Sequence, residues 1–330
     1  MIENELINWQ PTATVANLKK RSAIVAGIRE FFTTRGVWEV DTPVMSHSTV
    51  TAPYVVGIPA IFQTYGTRDE QTCYLQTSPE YAMKRLLAAG SGPIFQLSKA
   101  FRQGEVGKLH NPEFTMLEWY RPGFDHHALM DEMDELLQKV LLVSPAERVS
   151  YGDLFATHLG IDAHNADAQQ LADYVREKNI PLSSTLAVNL PDRDAWLDLL
   201  WTHCIEPNAG LHRPIFVYDY PKSQAALAKV RAGNPPLASR FEVYFKGIEL
   251  ANGFHELQDA AEQEKRFRED LMFRRENGMP PMPVDDRFLA ALAHGLPDCA
   301  GVALGVDRLI MLALGCHTIA EVLSFSFETA

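Results

Sequence analysis

The chain of 330 residues is long enough for one large domain or two ordinary ones, and its 46% hydrophobic and 22% charged content is that of a soluble globular protein. A formal net charge of −12 argues against attachment to nucleic acid through a broad basic surface, while leaving room for a local basic groove. Four cysteines, Cys73, Cys204, Cys299 and Cys316, stand far apart with no CxxC pair, which suits neither a disulfide framework nor a zinc site and points to a reducing compartment. The start, "MIENELINWQ", has no positive charge followed by an apolar core, so no secretory signal is expected. The longest greasy stretch, "AGVALGVDRLIMLALGC", is broken by Asp307 and Arg308 and is short for a bilayer, so the expectation is a cytoplasmic protein without a membrane span.

In chain order, residues 18–35 predict a helix with Ile24, Val25, Ile28, Phe31 and Phe32 on one stripe and Gly36 as its stop. "VWEVDTPVM" predicts a strand that Pro43 must end or place at an edge. "CYLQTSPEYAMKRLLAAG" reads as strand then helix, with Ser78 as a cap, Pro79 in the first turn and Gly90 at the end. "PIFQLSKAFR" and "PEFTMLEWYR" are strands around a polar turn, and a helix follows from about Asp125 to Leu142. Residues from about 145 to 213 carry short helical patterns, which predicts a mainly helical insertion on the main domain. Strands return with "PIFVYDYP" and "RFEVYFKGIELANGFHEL", and the charged helix "DAAEQEKRFREDLMFRREN" reads as a solvated face. "GVALGVDRLIMLAL" reads as a strand running into a helix. Strands in hairpin-like succession with helices between them predict an α+β protein with a mostly antiparallel sheet.

Three polar groupings sit in apolar settings. With period two, Phe114, Met116, Glu118 and Tyr120 share one strand face, and a buried Glu118 carboxylate needs a cationic partner. Arg102, at the end of the preceding strand, suits phosphate or carboxylate oxygens, although an internal Arg102–Glu118 pair would explain both residues equally well. In "KGIELANGFHEL", Asn252-Gly253 predicts a tight turn bringing Glu249 and Glu256 together, where magnesium would relieve their repulsion; two solvated carboxylates on a hairpin are the bland alternative. In "GVALGVDRLIML", Gly301 and Gly305 allow close backbone approach and Arg308 is a planar cation suited to a nucleotide base; packing with a local ion pair is the alternative. Neither GxGxxG nor the P-loop pattern is present.

In this order the groupings resemble the three signature motifs of class II aminoacyl-tRNA synthetases: "RGVWEVDTP", "FRQGE…HNPEF" and "GVALGVDR". "HNPEFTMLEWY" and "GIELANGFHEL" are similar to lysyl-tRNA synthetase in particular, and the likeness runs from about residue 15 to the C-terminus. Those synthetases carry an N-terminal OB-fold for which no room is left before residue 18. With "SPEYAMKRLLAAGSGPIFQL", the chain resembles the elongation factor P–(R)-β-lysine ligases instead. That resemblance implies an antiparallel sheet flanked by helices across residues 1–330, a homodimer with Pro43 near its interface, and activation of lysine or (R)-β-lysine by ATP with magnesium. The acceptor implied is a lysine of elongation factor P, with tRNA not expected.

By the same resemblance Arg102 contacts the α-phosphate, Gln103, Gly104 and Glu105 border the nucleotide, and Asn111 and Phe114 hold the adenine against Arg308. Glu249 and Glu256 are implied as metal ligands, with Leu250 and Gly305 contributing backbone to the ATP site. Ser78, Pro79, Glu80, Glu118, Tyr120, Glu256 and Ala303 are the implied substrate pocket. Two positions depart from the pattern. Gly104 stands where the second motif has a glutamate, followed by Glu105, and Ala303 replaces a glycine usual in lysyl-tRNA synthetases. A truncated lysyl-tRNA synthetase acting on tRNA, and a regulatory paralogue binding without chemistry, are the competing readings.

Overall fold

Two compact units emerge in the computed structural model, which describes residues 9–180 and 192–330. The first unit comprises the chain up to Pro122 with Gln258–Pro297 and Ala303–Ala330; the second comprises Gly123–Leu257 and Asp298–Val302.

In the first unit the helix Val15–Thr33 opens on Thr14, whose hydroxyl accepts from the Asn17 N–H. It buries Ile28, Phe31 and Phe32, and the Phe32 ring stacks on Phe95 at 4.8 Å and lies 5.1 Å from Trp119. These contacts cover one face of an antiparallel pair, Ile94–Phe101 and Glu113–Pro122, in register from Ile94 opposite Tyr120 to Phe101 opposite Glu113. Pairing opposite residues puts Gln96, Ser98 and Ala100 on the other face with Phe114, Met116, Glu118 and Tyr120. The short strand Trp38–Glu39 adds to Ile94–Phe95 in parallel, so pairing in the unit is mixed. Beyond Pro43 the chain forms a separate strand, Met45–Ser46, in a small sheet with Glu70–Leu75 and Pro59–Gln63. Of the two outcomes expected at Pro43, the strand ends before it rather than passing it along an edge, since proline cannot supply a ladder N–H.

The helix Glu80–Ala88 packs on Asp286–Gly295 through Tyr81 and Phe288, stacked at 4.5 Å. The charged helix Ala260–Glu276 is not solvated throughout. Arg274 is buried, donating to the carbonyls of Thr51 and Ala52 at 2.7 Å each, so one guanidinium ties the loop after the small strand to this helix.

In the second unit, Glu147–Ser150 runs parallel to Ile215–Pro221, and Leu237–Phe245 lies antiparallel between that strand and Ile248–His255. The helical stretch within 145–213 forms Tyr151–Leu159, Ala168–Glu177 and Arg193–Leu200; residues 181–191 of the predicted insertion lie outside the described residues. Its Tyr151, Phe155, Leu171, Leu197 and Trp201 share a core with the strand residues Val217, Tyr220 and Tyr244.

Asn252-Gly253 does not form the predicted turn. Both lie inside the strand Ile248–His255, opposite Glu242 and Phe241, and the hairpin turns instead at Lys246-Gly247, where φ is 53° and 70°. Two consecutive residues of positive φ make the tight connection whose twist suits antiparallel strands. Gly253 serves packing: a Cβ there would collide with the Phe241 ring and meet Val302 Cβ at 3.0 Å.

Candidate active site

The turn between the paired strands is fixed by its backbone. Arg102 N–H donates to Pro112 O at 2.9 Å, Gln103 N–H to Val56 O at 2.8 Å, and Gly107 bridges His110. Gly104 adopts φ +81°, which a glutamate would enter only with strain, so the departure from the motif follows from a left-handed turn residue. Glu105 comes next and pairs with Arg102 at 3.7 Å. The Arg102 guanidinium lies 5.0 Å from the centre of the Phe114 ring, and its Nε is buried without a hydrogen-bond partner among the described residues. The Arg102–Glu118 pair considered from the sequence is therefore not the arrangement adopted.

Glu118 finds hydroxyls in place of a cation. Tyr120 donates to its Oε1 at 2.6 Å and Ser78 to its Oε2 at 2.7 Å. The carboxyl is 1% exposed, and burial, reinforced by the nearby charge of Glu80, pushes its pKa up to about 7 against the opposing effects of the two hydroxyls and Lys84. Ser78 also accepts from the Glu80 N–H at 3.0 Å, but the cap position is Pro79, one residue beyond the Ser78 expected from the sequence, and the helix begins at Glu80. Glu80 pairs with the buried Lys84 Nζ at 2.5 Å, one helical turn on. Lys84 was not singled out by the sequence reading; its spacing from Glu80 is the signal that could have found it. Gln96 was missed as well. It is buried directly opposite Glu118, and its amide oxygen has no hydrogen-bond partner among the described residues.

At the other end of the same sheet face, Asn111 donates to Glu113 O at 2.7 Å and accepts from the Phe327 N–H at 2.9 Å, bracing the turn against the C-terminal segment. Arg308 donates through Nε to Leu109 O at 3.2 Å and through its terminal nitrogen to His110 Nε2 at 2.6 Å. Burial, then the Arg308 charge, lowers the His110 pKa, which leaves a neutral ring as acceptor. Its neighbour Asp307 accepts from the Thr115 N–H at 2.8 Å and binds Arg21 at 2.6 Å. Gly305 is the cap of the helix Val306–Ala313, and Ala303 lies two residues earlier in the strand Cys299–Gly305.

In the second unit, the strand Ile248–His255 carries a bulge. Val243 opposes Ala251 and Tyr244 opposes Glu249, leaving Leu250 as the extra residue. Glu249, Asn252 and Phe254 consequently share a face with Tyr244, Glu242 and Arg240, and the alternation carried one residue past the strand's end puts Glu256 there too. The predicted proximity by a turn is corrected to a shared face by a bulge. Among the described residues no group of three or more histidines, cysteines and acids is gathered as a metal centre. Two carboxylates on one face fit magnesium, which takes one or two protein carboxylates and completes its shell with phosphate oxygens and water.

The Arg102 guanidinium over the Phe114 ring and the buried Glu118 carboxyl thus lie on one sheet face. The chain belongs to the class II tRNA synthetases of the D, K and N group, whose description it matches over residues 2–329. It is 52% identical over 327 residues, 99% of this chain and 100% of the relative, to the elongation factor P–(R)-β-lysine ligase of Edwardsiella ictaluri. The proteins of the same name from Pectobacterium carotovorum subsp. carotovorum and Salmonella paratyphi B show the same identity and coverage.

Proposed function

We propose that this chain is an ATP-dependent ligase that activates a lysine isomer, (R)-β-lysine, as an aminoacyl-adenylate and transfers it to a lysine side chain of elongation factor P. The observation that carries the reading is the division of one sheet face in the first unit. Arg102 and Phe114 stand at the end suited to a nucleotide, and Glu118, Tyr120 and Ser78 form the recess suited to an ammonium group. The full-length likeness to ligases of that name supports the substrate and acceptor.

In the first step a carboxylate oxygen of the amino acid attacks the α-phosphorus, and the bond to pyrophosphate breaks. Arg102 offers its guanidinium to the charge that grows on the α-phosphate, a contact worth roughly 10²–10³-fold in rate. Phe114 and Arg308 hold the adenine between them, with Asn111, Gln103, Gly104, Glu105 and Gly305 bordering the nucleotide. Glu249 and Glu256 would hold magnesium, which neutralises phosphate charge when bound. Glu118, Tyr120 and Ser78, with Glu80 and Ala303, orient the amino acid. In the second step the acceptor lysine amine attacks the adenylate carbonyl, AMP leaves, and the amine gives up a proton.

The exposed Trp38, Val44, Met45, Ile61 and Phe62 around Pro43 support a homodimer through that side of the first unit. No described helix is long and apolar enough to cross a membrane. The test is incubation with ATP, each lysine isomer, and either elongation factor P or tRNA, followed by mass measurement of the acceptors. A mass gain on elongation factor P is expected; a gain on tRNA alone, or on neither, overturns the reading.

A further inference from the structure

We infer that Gln96 is a specificity-determining residue that receives the distal ammonium group of the amino-acid substrate together with Glu118. The inference rests on the lysine-activating reading and adds to it a residue outside the motifs.

Gln96 and Glu118 are directly paired across the strands Ile94–Phe101 and Glu113–Pro122, which sets their Cβ atoms about 4.5–5.5 Å apart on one face. The Gln96 side chain is 2% exposed, and its amide oxygen accepts no hydrogen bond from any described residue. A buried acceptor left without a donor is destabilising, and native chains rarely leave one without a use. Ser98, two residues on and on the same face, has a buried hydroxyl in the same condition. Glu118 already accepts one hydrogen bond on each oxygen, yet a carboxylate offers about four lone-pair positions, so capacity remains.

The missing partner is therefore a donor group with several hydrogens and a positive charge. An ammonium has three donors and no acceptor, and Glu118, Gln96 and Ser98 supply three acceptors in neighbouring places. The position along the sheet chooses between the two ammonium groups of a lysine isomer. Gln96 lies six residues from Arg102 on the same face, so the backbone positions are about 20 Å apart along the strand, a span that the extended Arg102 side chain, the α-phosphate it meets and the amino acid fill in turn. With the substrate carboxylate directed at that α-phosphate, the group directed toward Gln96 is the one farthest from the carboxylate. This group is common to both lysine isomers, so Gln96 selects for a distal ammonium and leaves the choice of isomer to other residues.

The test compares ATP–pyrophosphate exchange with the preferred lysine isomer and with the same amino acid lacking its distal amino group. Gln96→Met removes the acceptor at similar length. It should raise KM for the lysine isomer about 10- to 100-fold, as expected for one hydrogen bond to a charged group, and lower the preference over the deaminated analogue by the same factor, with KM for ATP within about twofold of the parent. Gln96→Glu keeps an acceptor and should keep the preference. Gln96→Asn draws the amide back by one carbon and should lose part of it, which keeps the inference testable if the methionine variant does not fold. A parental preference in a folded Gln96→Met or Gln96→Asn variant overturns the assignment, as does an equal loss toward ATP and amino acid. If the parent exchanges with neither isomer, the lysine-activating reading fails and the inference falls with it.

Discussion

Replacing Glu118 by glutamine is expected to stabilise the substrate-free protein, and to do so more at high pH than at low. The carboxyl titrates at about 7 in the folded chain against an ordinary 4.5. Because the folded pKa is the higher one, its contribution to stability is intact below about 4.5, is lost as pH rises toward 7, and is flat above that. Glutamine keeps the shape and can still accept from Tyr120 or Ser78, but it has no proton to lose. Any cost of its amide hydrogens is the same at every pH. The gap between variant and parent should therefore widen by about 2 kcal/mol between pH 5.5 and pH 8. Urea unfolding at both pH values, without substrate, reads this directly. The same variant should lose most lysine-dependent exchange, because the carboxylate assigned to the distal ammonium is replaced by a neutral amide. A gap that stays constant with pH refutes the account of Glu118 as a carboxyl held partly protonated by burial.

Arg102→Ala should fold as the parent does and lose most amino-acid-dependent ATP–pyrophosphate exchange; undiminished exchange would remove Arg102 from the α-phosphate. The double variant Glu249→Ala, Glu256→Ala should bind Mg-ATP more weakly while binding of the free amino acid is measured in parallel, and parental Mg-ATP affinity would return the pair to ordinary strand carboxylates. Ala303→Gly should shift the kcat/KM ratio toward α-lysine by no more than about 10–200-fold, since one methyl in a tight pocket discriminates by about 1–3 kcal/mol. Exchange with both isomers on both proteins checks it, and an unchanged ratio assigns Ala303 to packing.

Local patterns carried much of the site. The alternation Phe114, Met116, Glu118, Tyr120 reads directly off the chain, and the ladder confirms that these side chains share a face. What satisfies Glu118 was not legible, because Ser78 is forty residues away and only the tertiary approach of the helix start delivers its hydroxyl. The dipeptide Asn252-Gly253 is a strong turn signal, yet a glycine can also be required for space, and here the Phe241 ring decided the matter. In the helix Ala260–Glu276 the charges hide one inward guanidinium, since a buried arginine that satisfies backbone carbonyls looks in sequence like any other surface arginine. Gln96 stayed unnoticed for a related reason: its meaning depends on the residue opposite, which only the register supplies.

The bulge at Leu250 gives the strand from Glu249 to Glu256 something like a reading frame. Seven positions separate the two acids, an odd number that would send them to opposite sides of an unbroken strand, and the one extra residue restores the phase. A single-residue deletion that left the bulge in place would thus do more harm than most substitutions there, because it would turn one carboxylate through the sheet, whereas deletion of Leu250 itself leaves six positions in an unbroken strand and keeps the phase. The same logic applies when this chain is aligned with others: a gap placed inside "ELANGFHE" is a structural claim about which way an acid points. Deletion of Leu250, which removes the extra residue and keeps the phase, should preserve magnesium-dependent nucleotide binding, whereas a one-residue insertion that leaves the single bulge in place should abolish it.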